Sequence, residues 1–338
     1  MIEIVALSDA MREAVGLAER VAPTDANVLV TGESGSGKDA LAAFIHLRSL
    51  RAGQSLVKIG CATLPADLLE AELFGYERGA FTGATEAKPG RLEAAHRGTL
   101  VLDEIAHLSL DAQAKLLRVI EHREFERLGG RKTIEVDARL IALTNADLKN
   151  AVERRAFRDD LFYRLNVVQI AVPPLRERLK DFPSLARAFV QMYAEKHGRK
   201  TRTLSREAHD LLLAYEFPGN VRELANIIER AVIICQGAEV AASDLPESVR
   251  VAAVQRARKD RPPTLAELEA EYVRETLAAT KGNKSKAAQI LGISRKNLYE
   301  RLARDGEEVR DQKSEVREKI SERASEIESH SDREQSDC

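Results

Sequence analysis

The chain has 338 residues, of which 44% are hydrophobic and 31% are charged, and its formal net charge at pH 7 is −2. A chain of this length is expected to form about two domains with a sizeable core. Its three cysteines lie far apart, and it has neither a secretory signal nor a run of about 18 apolar residues. These features exclude a disulfide framework, a cysteine zinc site and a membrane span, and they favour a soluble protein of the reducing cytoplasm.

The small net charge hides an asymmetry near the end of the chain. Residues 281–304 contain seven Lys or Arg and one acidic residue, whereas residues 305–338 contain twelve acidic residues and six Lys or Arg. A basic segment followed by an acidic tail indicates a nucleic-acid partner, although two solvated helix faces would carry the same charges.

The first half of the chain alternates predicted strands and helices. A first helix is expected after Ser8, with Met11, Val15 and Ala18 on its buried face. Short apolar runs then predict five strands, and helical patterns such as that at 109–122 separate most of them. The strand segments are 27–30, 56–60, 99–103, 139–144 and 167–172. This alternation predicts an α/β fold with a parallel sheet covered on both faces.

The second half is predicted to be helical. From PPLRER at 173–178 to about residue 250 the periodicity is helical and no good strand is found. The charged segment 256–263 ends in two prolines and favours a linker, and residues 264–304 predict three helices. The polar tail after residue 304 favours disorder or a marginal helix.

A glycine-rich turn follows the first predicted strand and opens a helix. In this context GESGSGK predicts a P-loop, in which backbone N–H groups of residues 34–38 surround phosphates and Lys38 reaches the outer ones. The general motif continues with Ser or Thr but Asp39 stands there, so a glycine-rich turn without a ligand is the alternative. The predicted nucleotide-binding residues of this loop are Gly32, Glu33, Ser34, Gly35, Ser36, Gly37, Lys38 and Asp39.

The strand predicted at 99–103 runs into two acidic residues. Because the carboxyl ends of parallel strands form the edge where α/β proteins bind ligands, Asp103 and Glu104 are expected beside the P-loop. Asp103 would orient Mg²⁺ and its waters, and Glu104 would polarise the attacking water as general base. The pattern is weak alone but strong downstream of a P-loop, and the two motifs together predict ATP and Mg²⁺ as ligands.

The segment ERGAFTGATE at 77–86 resembles neither a helix face nor a strand face. Gly79 and Gly83 predict a loop, on which Phe81 and Thr82 would be exposed. An apolar side chain and a hydroxyl on a movable tip suit contact with a partner protein. From the residues alone, a surface loop with an incidental Phe is an equal alternative.

Residues 284–302 predict a helix-turn-helix. Gly292 permits the turn, Ala288 lets the helices approach, and Ser294 caps the second helix. Arg and Asn on that helix suit base edges, whereas Lys and Tyr suit phosphates; a plain helical hairpin is the alternative. The predicted DNA-binding residues are Ser294, Arg295, Lys296, Asn297, Tyr299 and Arg301.

Six segments occur along the chain in the order GESGSGKD, ELFGYERGAFTGA, GTLVLDEI, FRDDLFYRLNV, PPLRER and FPGNVREL. From about residue 5 to residue 248 they resemble the AAA+ domain of bacterial enhancer-binding proteins, the ATP-dependent activators of sigma-54 RNA polymerase. GAFTGA is highly specific to that family. The resemblance implies an AAA+ P-loop NTPase with a parallel sheet and a helical lid that assembles into a ring, with a hexamer as the family expectation. An acidic residue after the P-loop lysine is usual there, so Asp39 fits although Glu is commoner.

The resemblance implies further roles by position. Thr144 and Asn145 resemble sensor I, which reads the γ-phosphate, and Arg222 resembles sensor II on the lid. Arg158 and Arg164 resemble the arginine fingers that reach the ATP of a neighbouring subunit and stabilise charge on the transferring phosphoryl group. A salt bridge on a helix surface is the alternative for either arginine.

In this family the GAFTGA stretch tips a loop that rises with nucleotide state and contacts sigma-54. The implied sigma-54-binding residues are Gly79, Ala80, Phe81, Thr82, Gly83 and Ala84. Residues 124–136 resemble the second, shorter loop beside it, with Gly129 and Gly130 at its tip. Residues 264–304 resemble the Fis-like domain of the same family, which binds double-stranded DNA.

Two positions depart from the family pattern. Gly60 precedes Cys61 where the family usually has an Asn that holds the catalytic Glu, so the coupling between hydrolysis and partner binding is expected to be altered. Phe217 stands where Trp is common, which we expect to affect packing only. About four residues precede the matching region. Regulatory input is therefore expected from a partner protein in trans, from expression level or from no source at all, unless an upstream portion is missing.

These inferences combine into one predicted organisation: a nucleotide-binding AAA+ α/β subdomain at 1–175, an AAA+ lid at 176–250, a linker at 251–263, a helix-turn-helix domain at 264–304 and a charged tail at 305–338. The predicted function is an ATP-hydrolysing activator that binds upstream DNA and remodels sigma-54 RNA polymerase holoenzyme for open-complex formation. GAFTGA argues against the first alternative, another AAA+ remodeller such as an unfoldase. The second alternative is a DNA-binding regulator with an impaired or decoupled ATPase; Gly60 favours it, whereas Lys38, Glu104 and Arg164 oppose it.

Overall fold

The computed structural model describes residues 4–201, 203–252 and 264–302. They fall into two compact units, 4–252 and 264–302, which are described separately. The predicted tail and almost all of the predicted linker lie outside the described residues.

The strands are, in chain order, β1 Val28–Thr31, β2 Leu56–Gly60, β3 Gly75–Tyr76, β4 Lys88–Pro89, β5 Thr99–Asp103, β6 Glu124–Glu126, β7 Thr133–Glu135, β8 Arg139–Thr144, β9 Val168–Ala171, β10 Thr203–Leu204 and β11 Glu239–Val240. The helices of the first unit are α1 Asp9–Val21, α2 Lys38–Leu47, α3 Ala66–Phe74, α4 Arg91–Ala94, α5 Leu110–His122, α6 Leu148–Glu153, α7 Asp159–Leu165, α8 Phe182–Lys196, α9 Arg206–Leu213 and α10 Asn220–Ile234, and residues 247–252 are also helical. The second unit contains α11 Leu265–Ala279, α12 Lys284–Ile290 and helical residues 295–302.

The five predicted strands form one parallel sheet in the order β2-β5-β8-β1-β9. Three of them have the predicted bounds, and β1 and β9 differ by one residue at their ends. The register pairs Gly60 with Asp103 and Thr31 with Thr144, so the chemistry-bearing strand ends lie at one edge of the sheet.

Both faces of the sheet are buried, as the continuous apolar runs predict. On one face, residues of β5 and β8 such as Leu100, Leu102 and Leu140 pack with α3, α5 and α7. On the other face, Val30 and Ile141 pack with α1 and α2. The helix predicted at 109–122 is α5, and Ser109 caps it by accepting the N–H of Ala112 at 3.2 Å.

Helix α1 is attached at both ends by side chains from other elements. Ser8 precedes it as predicted, but its hydroxyl does not cap the helix; it donates to Asp181 Oδ2 at 2.9 Å. The other oxygen of this fully buried carboxylate accepts the N–H groups of Leu7 and Ser8 at 2.6 and 2.7 Å. At the far end, buried Arg139 donates to two carbonyl oxygens of the last turn at 2.6 and 2.9 Å.

The lid is built on α8, α9 and α10, around an apolar cluster that includes fully buried Phe182 and Phe217. Phe217 packs against Phe182 and Tyr215 with ring centroids 6.0 and 5.1 Å apart, which agrees with a packing role. The prediction that this region contains no strand was wrong, because β10 and β11 form a parallel pair. Each has only two residues, too few for a sequence periodicity to show.

The second unit is the predicted three-helix arrangement. Its core consists of Val273 on α11, Ala287 and Ala288 on α12, and Leu298 on the last helix. Gly292 has a φ of 65° at the turn. The Ser294 hydroxyl accepts the N–H of Asn297 at 3.2 Å, so the predicted cap is confirmed.

In the parts of the chain that the structure describes, no helix combines the length and apolar character needed to cross a membrane.

Candidate functional site

A cleft of about 410 Å³ lies between the edge of the parallel sheet and the lid. Its floor is formed by the P-loop and the acidic end of β5, and its opposite side by α8 and α10. The lining residues are Ser34, Gly35, Gly37, Lys38, Asp39, Asp103, Glu104, Phe189, Val221, Arg222 and Ala225. One part of the cleft is therefore polar and charged and another apolar, a division that suits a ligand with phosphates and a flat base.

Close contacts require glycine at two positions of the P-loop. A Cβ on Gly35 would lie 2.3 Å from the carbonyl oxygen of Gly219, and a Cβ on Gly32 would lie 2.6 Å from that of Val172. Gly35 also has a φ of 73°, in the left-handed region. The loop thus lies directly against the lid and the end of β9, with no room for a side chain at these positions.

Lys38 opens α2 beneath the cleft and is 6% exposed. Its Nζ donates to the carbonyl oxygens of Gly32 and Glu33 at 2.8 and 3.1 Å and lies 3.9 Å from Glu104 Oε1. Burial lowers the pKa of Lys38, and the nearby carboxylates only partly oppose this. The loop carbonyls and one carboxylate thus hold the ammonium at the floor of the cleft, where a phosphate could replace part of this coordination.

Glu104 follows β5 in a left-handed conformation, with φ 53° and ψ 52°. Such geometry is uncommon for a residue other than Gly, Asn or Asp and often marks functional positions. Its Oε2 accepts the backbone N–H of Asn145 at 3.2 Å. The predicted sensor position at the end of β8 therefore contacts the predicted general base through its backbone.

Asp39 and Asp103 approach each other from α2 and β5, and the ammonium of Lys58 on β2 bridges them. Lys58 Nζ lies 2.9 Å from Asp103 Oδ2 and also contacts Asp39 Oδ1. Burial lowers the pKa of Lys58, but the hydrogen bonds to both carboxylates outweigh it, and the pKa lies above its ordinary value. Lys58 is therefore a permanent positive charge at this end of the sheet.

These carboxylates fit a magnesium ion that shares phosphates with the protein. Mg²⁺ prefers oxygen ligands and usually takes one or two carboxylates, with phosphate and water completing the shell. Among the described residues, no group of three or more His, Cys, Asp or Glu side chains is arranged as a metal site of its own. Asp39 and Asp103 thus suit an ion that is delivered together with a nucleotide.

Gly60 lies opposite Asp103 in the sheet, and its neighbour Thr63 fills the space beside it. A Cβ at Gly60 would lie 3.2 Å from both Thr63 Oγ1 and Cγ2, and the Thr63 hydroxyl donates to the Gly60 carbonyl at 2.7 Å. Burial, with the charges of Asp103 and Glu104, raises the pKa of the Cys61 thiol to about 12. Neither residue supplies Glu104 with a charged or amide side-chain partner, so the altered coupling predicted from Gly60 stays a hypothesis.

The lid is hydrogen-bonded to the P-loop through fully buried Asn220. Its Oδ1 accepts the N–H of Leu175, and its Nδ2 donates to Glu33 Oε2 and the Ser34 carbonyl at 3.0 and 3.1 Å. Glu33 also accepts two hydrogen bonds from Arg176. These bonds to Arg176 and Asn220 lower the pKa of Glu33 to about 2.

Arg222, the predicted sensor II residue, lies two residues after Asn220 on α10 and lines the cleft. Its Nη1 donates to the Ser34 hydroxyl at 3.1 Å, and its backbone N–H donates to the Gly35 carbonyl at 3.3 Å. Arg158 and Arg164 do not line this cleft. Arg158 pairs with Asp160 at 2.7 Å and Arg164 with Glu121 at 2.9 Å, so both form exposed surface ion pairs within the chain.

The loop at 77–86 projects from the short β3–β4 pair. It is closed by a hydrogen bond from the Gly79 N–H to the Ala84 carbonyl at 2.8 Å. Phe81 is 41% exposed and packs edge-on against Tyr76, with ring centroids 5.0 Å apart. A Cβ on Gly79 or Gly83 would have no neighbour within 4 Å. The predicted exposure of Phe81 and Thr82 is confirmed, whereas Ala84 at the end of the same stretch is buried.

The second loop, between β6 and β7, packs against the loop at 77–86. Arg127 donates to Glu77 at 3.1 Å and to both oxygens of Glu93 at 2.9 and 2.7 Å. A Cβ on Gly129 would lie 2.9 Å from that of Ala80. The two loops are therefore in direct contact.

On the last helix of the second unit, Arg295, Lys296, Asn297 and Tyr299 are exposed as predicted. Arg301 differs from the prediction: it is half-buried, pairs with Glu269 of α11 and donates to Asn297 Oδ1 at 3.1 Å. It lies one helical turn after Asn297, which explains the hydrogen bond between the two side chains.

Sequence reasoning missed several residues that form the site: Lys58, Arg176, Phe189, Asn220, Val221 and Ala225. Lys58 lies two residues before Gly60 on β2, an edge strand of the sheet. Only the alternation of side chains along β2 could have suggested that Lys58 lies on the same face of the sheet as Gly60. The lid residues come from α8 and α10, whose placement against the P-loop depends on long-range packing that no local pattern reports.

Comparison with known proteins agrees with this architecture. Residues 4–171 match the model of the Sigma-54 interaction domain, residues 176–262 the AAA+ ATPase lid domain, and residues 264–304 the Fis family of bacterial regulatory proteins. The chain is 46% identical to the transcriptional regulatory protein ZraR of Klebsiella oxytoca, over 88% of this chain and 68% of that protein. It is 42% identical to the regulatory protein AtoC of Escherichia coli K12, over 90% and 68%.

Solved structures of similar proteins have the same fold. The crystal structure of NtrX from Brucella abortus in complex with ATP superposes with a TM-score of 0.69 at 36% identity, covering 90% of this chain and 70% of that one. NtrX in complex with ADP gives a TM-score of 0.68. The predicted fold is confirmed, and the chain belongs to the family of sigma-54-dependent transcriptional regulators that carry an AAA+ ATPase domain and a Fis-type helix-turn-helix.

Proposed function

We propose that this protein hydrolyses ATP and uses the energy to remodel sigma-54 RNA polymerase holoenzyme for promoter opening. The observation that carries the proposal is the convergence of Lys38, Asp103, Glu104 and Arg222 on one cleft, in a chain whose first half matches the sigma-54 interaction domain. In this proposal residues 1–175 bind nucleotide, 176–250 form the lid, 251–263 are the linker, 264–304 bind DNA, and the role of 305–338 is open.

In the proposed reaction the P-loop amides and Lys38 hold the phosphates. The Glu104 carboxylate accepts a proton from the attacking water, and its contact with the Asn145 N–H aligns it for this role. Asp103 and Asp39 would hold Mg²⁺, which neutralises phosphate charge when bound. Arg222 reaches the phosphates from the lid, and Asn145 senses whether the terminal phosphate is present.

We infer that Arg158 and Arg164 complete the site of a neighbouring subunit in a ring, for which a hexamer is expected. Their placement away from the cleft of their own chain, on an exposed surface, supports this role. Each would exchange its own carboxylate partner for phosphate charge at the subunit boundary.

The loop formed by Gly79, Ala80, Phe81, Thr82, Gly83 and Ala84 is proposed to contact sigma-54 and to move with nucleotide state. The exposed Phe81 and the open space around both glycines support it. Ser294, Arg295, Lys296, Asn297 and Tyr299 would bind DNA, with Arg301 as a helix-bracing residue that contacts phosphate only if Glu269 releases it.

The test is open-complex formation by purified protein with sigma-54 holoenzyme and MgATP. Glu104→Gln should still bind ATP, but its turnover should fall by about a hundredfold or more because the general base is lost. Thr82→Ala should hydrolyse ATP at the wild-type rate yet open no promoter, whereas Thr85→Ala, the same change three residues away, should behave as wild type. Wild-type turnover in Glu104→Gln, or promoter opening by Thr82→Ala, would contradict the assignment.

A further inference from the structure

Lys58 is a charged residue that no step of the proposed reaction uses, although it contacts both Asp39 and Asp103, which line the acidic part of the cleft. It extends from β2 and places one ammonium against carboxylates from two other elements, Asp103 of β5 and Asp39 of α2. Its side chain is 45% exposed, so water reaches it and it can move. An ion pair used only for stability would not need two carboxylates that belong to the candidate metal site.

The positions of these groups imply competition between two cations. A carboxylate oxygen that accepts a hydrogen bond from an ammonium cannot at the same time present that lone pair to a metal ion. Lys58 contacts Oδ2 of Asp103 and Oδ1 of Asp39, so it occupies one oxygen of each candidate magnesium ligand. A magnesium ion bound to these same oxygens would lie within a few ångströms of the ammonium, and the repulsion between the two cations favours release of the ammonium.

We propose that Lys58 is a resident counter-ion that keeps divalent cations out of the nucleotide-free site and gives up Asp39 and Asp103 when the metal arrives with ATP. The inference rests on the proposed ATP site. In this role, Lys58 makes the binding of the metal ion depend on the presence of nucleotide. Without nucleotide, the ammonium offsets one of the two negative charges of the carboxylates. With nucleotide, the phosphates supply the negative charge that attracts the metal.

The proposal predicts opposite changes in two affinities when the charge of Lys58 is removed. Lys58→Met retains most of the aliphatic chain but leaves both carboxylates bare. The nucleotide-free variant should bind Mn²⁺, a spectroscopic substitute for Mg²⁺, about tenfold or more tightly than wild type, because a unit charge near a divalent ion is removed. The same variant should bind metal-free ATP about tenfold more weakly, because two uncompensated carboxylates repel the phosphates.

Opposite changes distinguish this role from a structural one, since local unfolding would weaken both kinds of binding. Lys58→Arg keeps the positive charge and should behave as wild type in both measurements. Lys115→Met is the matched charge control: Lys115 is 42% exposed and its salt bridge is to a single carboxylate, Glu70, on the α5 side of the sheet. It should change neither affinity.

The experiment is Mn²⁺ titration by electron paramagnetic resonance on nucleotide-free protein, with calorimetry of ATP in EDTA and of MgATP on the same preparations. Tighter Mn²⁺ binding together with weaker metal-free ATP binding in Lys58→Met supports the proposal. If wild type binds MgATP but Lys58→Met has wild-type affinity for Mn²⁺, or if both affinities fall, the counter-ion role is wrong and the ATP site stands. If wild type binds no MgATP, the proposed function itself fails.

Discussion

The P-loop and the loop at 77–86 both depend on glycine, for opposite physical reasons. Gly35 and Gly79 have similar φ angles in the left-handed region, 73° and 85°. At Gly35 a side chain would meet the lid backbone at 2.3 Å, whereas at Gly79 it would meet nothing within 4 Å. Glycine in the first loop allows close packing and in the second allows movement. The region proposed for chemistry is therefore fixed in place, and the region proposed for partner contact is left free.

The largest expected effect is that of Gly35→Ala. The new methyl group must move either the P-loop or the start of α10, and the residue must also keep a left-handed conformation. Together these should lower the free energy of unfolding by about 2–5 kcal/mol and abolish measurable MgATP binding. Chemical denaturation and calorimetry measure the two quantities. Wild-type MgATP affinity would show that the contact with Gly219 is not maintained in solution.

The second prediction tests the attachment of the lid to the P-loop. Asn220→Gly tolerates the left-handed φ of 54° but removes three hydrogen bonds and leaves the buried N–H of Leu175 unpaired. The free energy of unfolding should fall by about 1–3 kcal/mol, with weaker nucleotide binding. Arg155→Gly, at an exposed residue with a φ of 56°, is the matched control and should change stability by less than about 0.5 kcal/mol. Equal losses in both variants would assign the effect to glycine entropy.

The third prediction concerns pH. The pKa of Glu33 is lowered from 4.5 to about 2 by Arg176 and Asn220, so the folded state favours the charged carboxylate. Its contribution is present above the unfolded pKa and is lost as the pH falls from 4.5 towards 2. Relative to wild type, Glu33→Gln should be less stable by a constant amount above that window, and the difference should shrink within it. A difference that does not change between pH 5 and pH 3 would contradict the assignment.

The smallest effect should come from Gly79→Ala, which repeats the backbone change of the first prediction without the clash. Only the left-handed strain remains, so stability should fall by about 1 kcal/mol and ATP turnover should be unchanged. Thermal unfolding and a steady-state ATPase assay measure these quantities. A loss of stability as large as that of Gly35→Ala would mean that the left-handed backbone conformation, and not close packing, is the reason both loops need glycine.

Much of the sheet could be predicted because buried parallel strands are continuous apolar runs that local sequence reveals. β2, β5 and β8 were predicted to the residue. The pair β10 and β11 could not be predicted, because two residues carry no period. The acidic end of β5 was also predictable, since a charge after an apolar strand must lie at the edge of the sheet.

The contacts that complete the site could not be predicted in the same way. Asn220 and Arg176 meet the P-loop across more than 140 residues of sequence, and Lys58 reaches two separate elements. Ser8 satisfies a capping rule, but its hydroxyl is oriented to donate to the buried carboxylate of Asp181, which forms a strong charge-assisted hydrogen bond, and it accepts no helix N–H. Arg301 likewise pairs with a carboxylate from a distant element, Glu269. Such pairings depend on which distant elements pack together.

The double attachment of α1 also has a mechanical consequence. Three hydrogen bonds at its amino end converge on the single carboxylate of Asp181, the residue before the lid helix α8, while Arg139 holds its carboxyl end to the sheet. Tension applied before Leu7 would load that carboxylate first and would pull on the start of α8 before it strained β1. The amino end of α1 therefore transmits force to the lid. A force-extension measurement should show the breaking of the three hydrogen bonds to Asp181 as an early event, separate from the rupture of the sheet.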